Sequence, residues 1–107
     1  MNTFKDILSR LPSVEKIAAL ELYAGTQTEP AAVIENKPGQ SGALAVYYKI
    51  SLDFGGIGPS AAKQGLQMFA EHTLHAHDHP GAHPNIDRLF SIIENDTYYA
   101  TKVLYKK

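Results

Sequence analysis

The stretch ALAVYYKISLDF, residues 43–54, decides the fold, because it satisfies two periodicities at once. Its even positions, Leu44, Val46, Tyr48, Ile50, Leu52 and Phe54, are all apolar, which is the alternation of a half-buried strand. Ala43, Val46, Tyr47, Ile50 and Phe54 equally make one face of a helix. The run is long for a strand and ordinary for a helix. Gly55 and Gly56 follow it as a helix stop. A helix is therefore expected, laid against the sheet and not woven into it.

Working outward, KPGQSG at 37–42 is a turn, and Ser41 is placed to cap the helix. Before it, EKIAALEL has helix-forming composition. It nevertheless runs into the turn-like AGTQTEP and then AAVIEN, and two strands around a loop predict a hairpin of about residues 16–36. Thr3 caps a helix Phe4–Leu11 that Pro12 stops; Phe4, Ile7, Leu8 and Leu11 form its apolar face. On the other side, Gly58-Pro59-Ser60 opens a third helix that AAKQGLQMFAEHTLHAHD continues to Pro80-Gly81. Ala62, Leu66, Phe69, Thr73 and Ala76 make its buried stripe. Pro84-Asn85 starts a fourth helix with Ile86, Leu89, Phe90 and Ile93 inward. TYYATKVLY, 97–105, alternates and is rich in β-branched and aromatic residues, so it reads as a strand. The expected architecture is one α+β domain over 1–107, with about four helices on a small, mostly antiparallel sheet of about three strands.

A chain of 107 residues with 44% apolar and 20% charged content can build one core without staples. It has no cysteine, which excludes disulfides, thiolate metal sites and thiol nucleophiles. No apolar run is long enough for a membrane span, and the N-terminal residues lack the cationic start and apolar stretch of a signal peptide. A cytoplasmic location is expected, with no membrane association. Net charge is −1, and only Lys102, Lys106 and Lys107 concentrate basic charge, so nucleic acid is not an expected partner.

Four segments have a family look: IENKPG at 34–39, LAVY with FGGI at 44–47 and 54–57, FAEHT at 69–73, and HPGAHPNIDRL at 79–89. Together they resemble a small bacterial family catalogued only as a domain of unknown function. The resemblance runs over most of the chain. It implies a small bacterial cytosolic protein, and the family's segment corresponding to 43–54 is more plainly helical. It implies no activity, substrate or cofactor. His75 and His77 lie outside the segments that carry it.

All five histidines fall between His72 and His83. On a regular helix His72, His75 and His79 share one side, and His75 and His79 have the i, i+4 spacing that lets two imidazoles hold one cation. His72 or His83 would be a third ligand, and Asp78 or Asp87 an oxygen ligand or a supporting partner; zinc or nickel is the expected ion on this reading. Without metal, His79, His83 and Asp87 suggest a carboxylate-oriented imidazole pair for acid–base work. The plainer reading needs no cofactor: histidines suit a helix C-terminus, His77 packs as a half-buried ring, and HPGAHPN is a rigid connector.

Gly39, Ser41 and Gly42, with Lys37 nearby, could hold an anion at a helix start, although no phosphate-loop motif is present and the glycines equally serve the turn. Tyr98, Tyr99, Val103 and Tyr105 would give the last strand a docking surface for a homodimer or another protein partner, with Tyr98 and Tyr99 on opposite faces. The function expected is a non-enzymatic binding or interaction module. The alternative is a histidine-based metal or acid–base site within 72–87.

Overall fold

Residues 43–54 fold as a helix. The computed structural model describes residues 3–107, in the order α1 (Phe4–Leu8), β1 (Ile17–Ala24), β2 (Ala32–Glu35), α2 (Ser41–Phe54), α3 (Pro59–Met68), α4 (Glu71–Asp78), α5 (Pro84–Asn95) and β3 (Tyr99–Tyr105). This is an α+β fold, with these five helices against an antiparallel sheet of order β2-β1-β3.

The contest in α2 is settled by what it buries. Leu44, Ala45, Val46, Tyr47 and Ile50 are buried, while Leu52 and Phe54 are exposed. A strand would have hidden all the even positions, and Phe54 also falls off the helical face that contained it in the sequence reading. Gly55 ends the helix at φ 75°, and its N–H closes on the Ser51 carbonyl, as expected of a left-handed cap. The start differs from expectation. Gln40 is the cap position and Ser41 already lies inside the helix, with no side chain capping it. Gln40 turns back instead, and its Oε1 accepts the N–H of Glu35.

The hairpin forms as read, with Leu20 opposite Ile34 and Leu22 opposite Ala32. β3 pairs along the other side of β1, with a bulge between Ile17 and Ala19. Leu20, Leu22 and Ile34 face the helices in one buried cluster with Tyr47, Ile50, Leu89 and Ile92. Glu21 and Lys102 are neighbours on the opposite face, which is how a small antiparallel sheet keeps one side wet.

The expected third helix is two helices. Ala70 has φ 51° and ψ −120°, a conformation that L side chains disfavour, and it separates α3 from α4. No glycine or proline marks the site, so the periodicity runs straight through it. Tertiary packing sets the break: Phe69 stacks on Phe4, and the Thr73 hydroxyl donates to the Leu66 carbonyl left free at the end of α3. α1 is also shorter than read. Beyond Leu8 the chain tightens into i→i−3 turns, with Arg10 and Leu11 N–H groups on Ile7 and Leu8 carbonyls. Its start matches expectation: Thr3 Oγ1 accepts the Asp6 N–H and Asp6 reciprocates on Thr3, a capping box. No described helix is long and apolar enough to cross a membrane.

Candidate functional site

Three segments meet at one end of α2. The first is α1, drawn in by Gly42: a Cβ there would stand 3.1 Å from the Phe4 ring, so any larger residue would push the ring back by a few tenths of an ångström. The second is the start of α4. Glu71 Oε1 accepts the Phe4 N–H at 2.7 Å, and this bond is the main reason its carboxyl is held below the usual range. The Phe4 ring stacks on Phe69 at 5.5 Å and meets the His72 ring edge-on at 5.1 Å.

The third segment is the connector HPGAHPN, which several bonds fix. Gly81 turns at φ 94° and donates its N–H to Asp87 Oδ2 at 2.9 Å. Pro84 begins α5, and the His83 carbonyl receives the Ile86 and Asp87 N–H groups. The Tyr47 hydroxyl donates to the Asn85 carbonyl. Arg88 Nη1 bonds both Tyr47 Oη at 3.1 Å and Asn85 Oδ1 at 2.9 Å, with its guanidinium over the Tyr47 ring. Burial pushes the Tyr47 phenol up to about 12, against the opposing pull of Arg88.

Between these segments lies a cleft of about 460 Å³. Phe4, Leu8 and Phe69 supply its apolar wall; His72, His83 and Ser41 are among its polar groups. The starts of α2 and α5 both open onto it. Among the described residues no acceptor meets the N–H of Gly42, Ala43 or Asn85, each within the first turn of its helix. Electrostatically this end favours negative charge.

The anion candidates Gly39, Ser41 and Gly42 line this cleft, and Lys37 does not. Lys37 Nζ lies 3.2 Å from Glu35, both exposed. Gly39, at φ 88°, serves the turn as read, whereas Gly42 serves the approach of Phe4. The histidines divide. His72 and His83 reach the cleft, their rings 5.8 Å apart. His75 Nδ1 lies 2.8 Å from His83 Nε2, so one donates and the other accepts. His79 stacks on His75 at 4.2 Å, as the i, i+4 spacing implied, but its Nδ1 turns to the His75 carbonyl. The imidazole pair is thus His75–His83 and not His79–His83, and Asp87 braces Gly81 instead of orienting a ring. His77 is exposed beside Asp78 and not half-buried. Among the described residues no group of three or more His, Cys, Asp or Glu could hold a metal ion.

The tyrosine surface is also rearranged. Tyr98 precedes β3 and lies over Gly56, where any Cβ would strike its ring, so it is not a face of the strand. Tyr99 and Val103 are half-buried against the core, and Tyr105 is 64% exposed. Sequence reasoning missed Phe4, Phe69 and Glu71 as builders of the cleft, and the Tyr47–Asn85–Arg88 set behind it. The only local signal was the Asn85–Arg88 spacing, which puts the two on one helix face.

No curated protein and no solved structure matches this chain. One family model does, over residues 4–103, and its description is an uncharacterised protein conserved in bacteria, DUF2322.

Proposed function

The chain belongs to that bacterial family, and we propose that it is a binding module for a small organic anion, seated in the cleft between α1, the start of α2 and the connector. One observation carries the reading. Two stretches far apart in sequence, one giving Gly39, Ser41, Gly42 and Ala43 and the other residues 82–86, line one cavity together with His72 and the Phe4–Phe69 wall. Pockets that take small molecules are mostly apolar with a few convergent polar groups. Here an apolar body would lie on Phe4, Leu8 and Phe69, and its acidic group would meet imidazole and main-chain N–H donors. Among the described residues no hydrogen bond joins the cleft hydroxyl, Ser41, to His72 or His83, and a non-enzymatic role fits such a cleft.

The test uses benzoate, which has a planar apolar body and a carboxylate, beside inorganic phosphate, which has only the charge. Benzoate should shift the amide resonances of Gly42, Ala43 and Asn85 saturably, and phosphate should do so weakly. Ala82→Trp, at an exposed position on the cleft mouth, should block the shifts without unfolding the protein. Benzoate shifts that scatter over the surface, or survive Ala82→Trp, would overturn the reading.

A second reading rests on the 2.8 Å His75–His83 contact. It is the geometry of a proton-sharing imidazole pair. His75→Ala separates the readings, because exposed His75 does not line the cleft. Loss of benzoate binding in that variant would favour the pair; retention favours the cleft.

A further inference from the structure

β3 has a free side, and one contact shows which residues face it. Tyr99 exchanges its N–H and C=O with Ile57, at 2.9 Å each way, so these groups point away from β1. Main-chain groups alternate sides along an antiparallel strand. Thr101, Val103 and Tyr105 therefore aim theirs at the same open side. Lys106, of the other parity, donates to the Lys16 carbonyl. Among the described residues nothing pairs with β3 on that side beyond Ile57. The opposite edge is blunted: β2 is short, and its Glu35 N–H is taken by Gln40.

We infer that β3 pairs antiparallel with β3 of a second copy of the chain, about a two-fold axis at Val103. The register follows from exclusion. Centring on Thr101 would drive the incoming strand into Ile57. Centring on Lys102 sets Lys102 against Lys102, and centring on Leu104 sets Lys102 against Lys106; like charges directly opposite are destabilising. Centring on Val103 sets Lys102 beside Leu104 of the second copy and Thr101 opposite its Tyr105. The exposed Tyr105 ring is then covered, with Tyr99 of the second copy on the diagonal. Charge complements the register: Lys106 falls opposite Ala100, and Lys107 leaves the paired stretch there, because Ile57 already holds Tyr99, and turns towards exposed Glu94 and Asp96 at the end of α5. Pairing over Thr101–Tyr105 supplies about six main-chain hydrogen bonds and joins two three-stranded sheets into one. This inference stands apart from the cleft, which lies at the start of α2.

Light scattering on the full chain, from low to high micromolar, should show a mass rising to twice that of the chain; a single-chain mass throughout overturns the inference. Thr101→Pro removes an open-side N–H where an edge strand tolerates proline, and should give a folded monomer by circular dichroism. A folded Thr101→Pro dimer overturns the inference. Cysteine variants test the register independently, because the chain has no cysteine and any disulfide must join two copies. Under mild oxidation Val103→Cys should cross-link readily, its Cα atoms meeting at about 5.5 Å. Lys102→Cys should not, since its opposite position is Leu104. Faster cross-linking of Lys102→Cys overturns the register.

Discussion

Glu71 fastens α1 with one hydrogen bond, and that bond titrates. Its carboxyl is depressed chiefly because it accepts the Phe4 N–H, so the folded state favours the ionised form. A depressed acid stabilises fully above its unfolded value and loses this as pH falls through the folded one. The docking of α1 should therefore loosen below about pH 4.5, read by the Gly42 amide shift, and Glu71→Gln should remove the transition in that window. Tyr47 works in the opposite direction. Its phenol is pushed up to about 12, chiefly by burial, so the neutral form is favoured by the fold. The contribution is complete below pH 10 and drains away as pH climbs towards 12. In an alkaline absorbance titration one of the six tyrosines should ionise only as the protein unfolds. Tyr47→Phe should abolish that late step and cost about 1–2 kcal/mol, since it leaves the Asn85 carbonyl and Arg88 short of a partner. Glu71 carries no such role in the sequence because its partner is a main-chain N–H 67 positions away. Side-chain patterning cannot register such a bond.

Most boundaries written in residue chemistry were legible, the end of α1 and the cap of α2 aside; the break between α3 and α4, which is tertiary, was not. Gly55 stops α2, Pro59 and Pro84 open α3 and α5, and alternation marks β3. Each of these is a local backbone preference written in the residue type. Ala70 carries no such mark. It stands at φ 51° because Phe69 must reach Phe4 and Glu71 must reach the Phe4 N–H. Conformations of this kind cost about 1–3 kcal/mol in an L residue and almost nothing in glycine. Ala70→Gly should therefore stabilise the protein by about 1 kcal/mol, seen as a higher urea midpoint with an unchanged slope. Ala70→Val should destabilise it. A neutral or destabilising glycine would show that the break is not strained, and that packing alone does not hold it.

At the scale of the whole molecule the cleft was half legible. Residues 39–42 and the histidines were each singled out, but nothing in their spacing joined them, because the joint is α1. A helix as short as Phe4–Leu8 has no stability of its own and exists by docking. Its attachment is the Phe4 ring, half-buried on Phe69, His72 and Gly42, together with the bond to Glu71. Phe4→Ala removes the ring and spares the buried cluster of Leu20, Tyr47, Ile50 and Leu89. Since the ring is half-buried, about half the cost of truncating a core phenylalanine applies, roughly 2 kcal/mol. The loss should be local. Hydrogen exchange should quicken at Ile7 and Ser9, whose N–H groups bond within α1, while Leu20 and Leu22 in β1 stay protected. Benzoate shifts at Gly42 should vanish in the same variant, because one wall of the cleft has left. If protection falls equally in β1, α1 belongs to the global folding unit. The cleft would then be as permanent as the core, and would not depend on a separately docked helix.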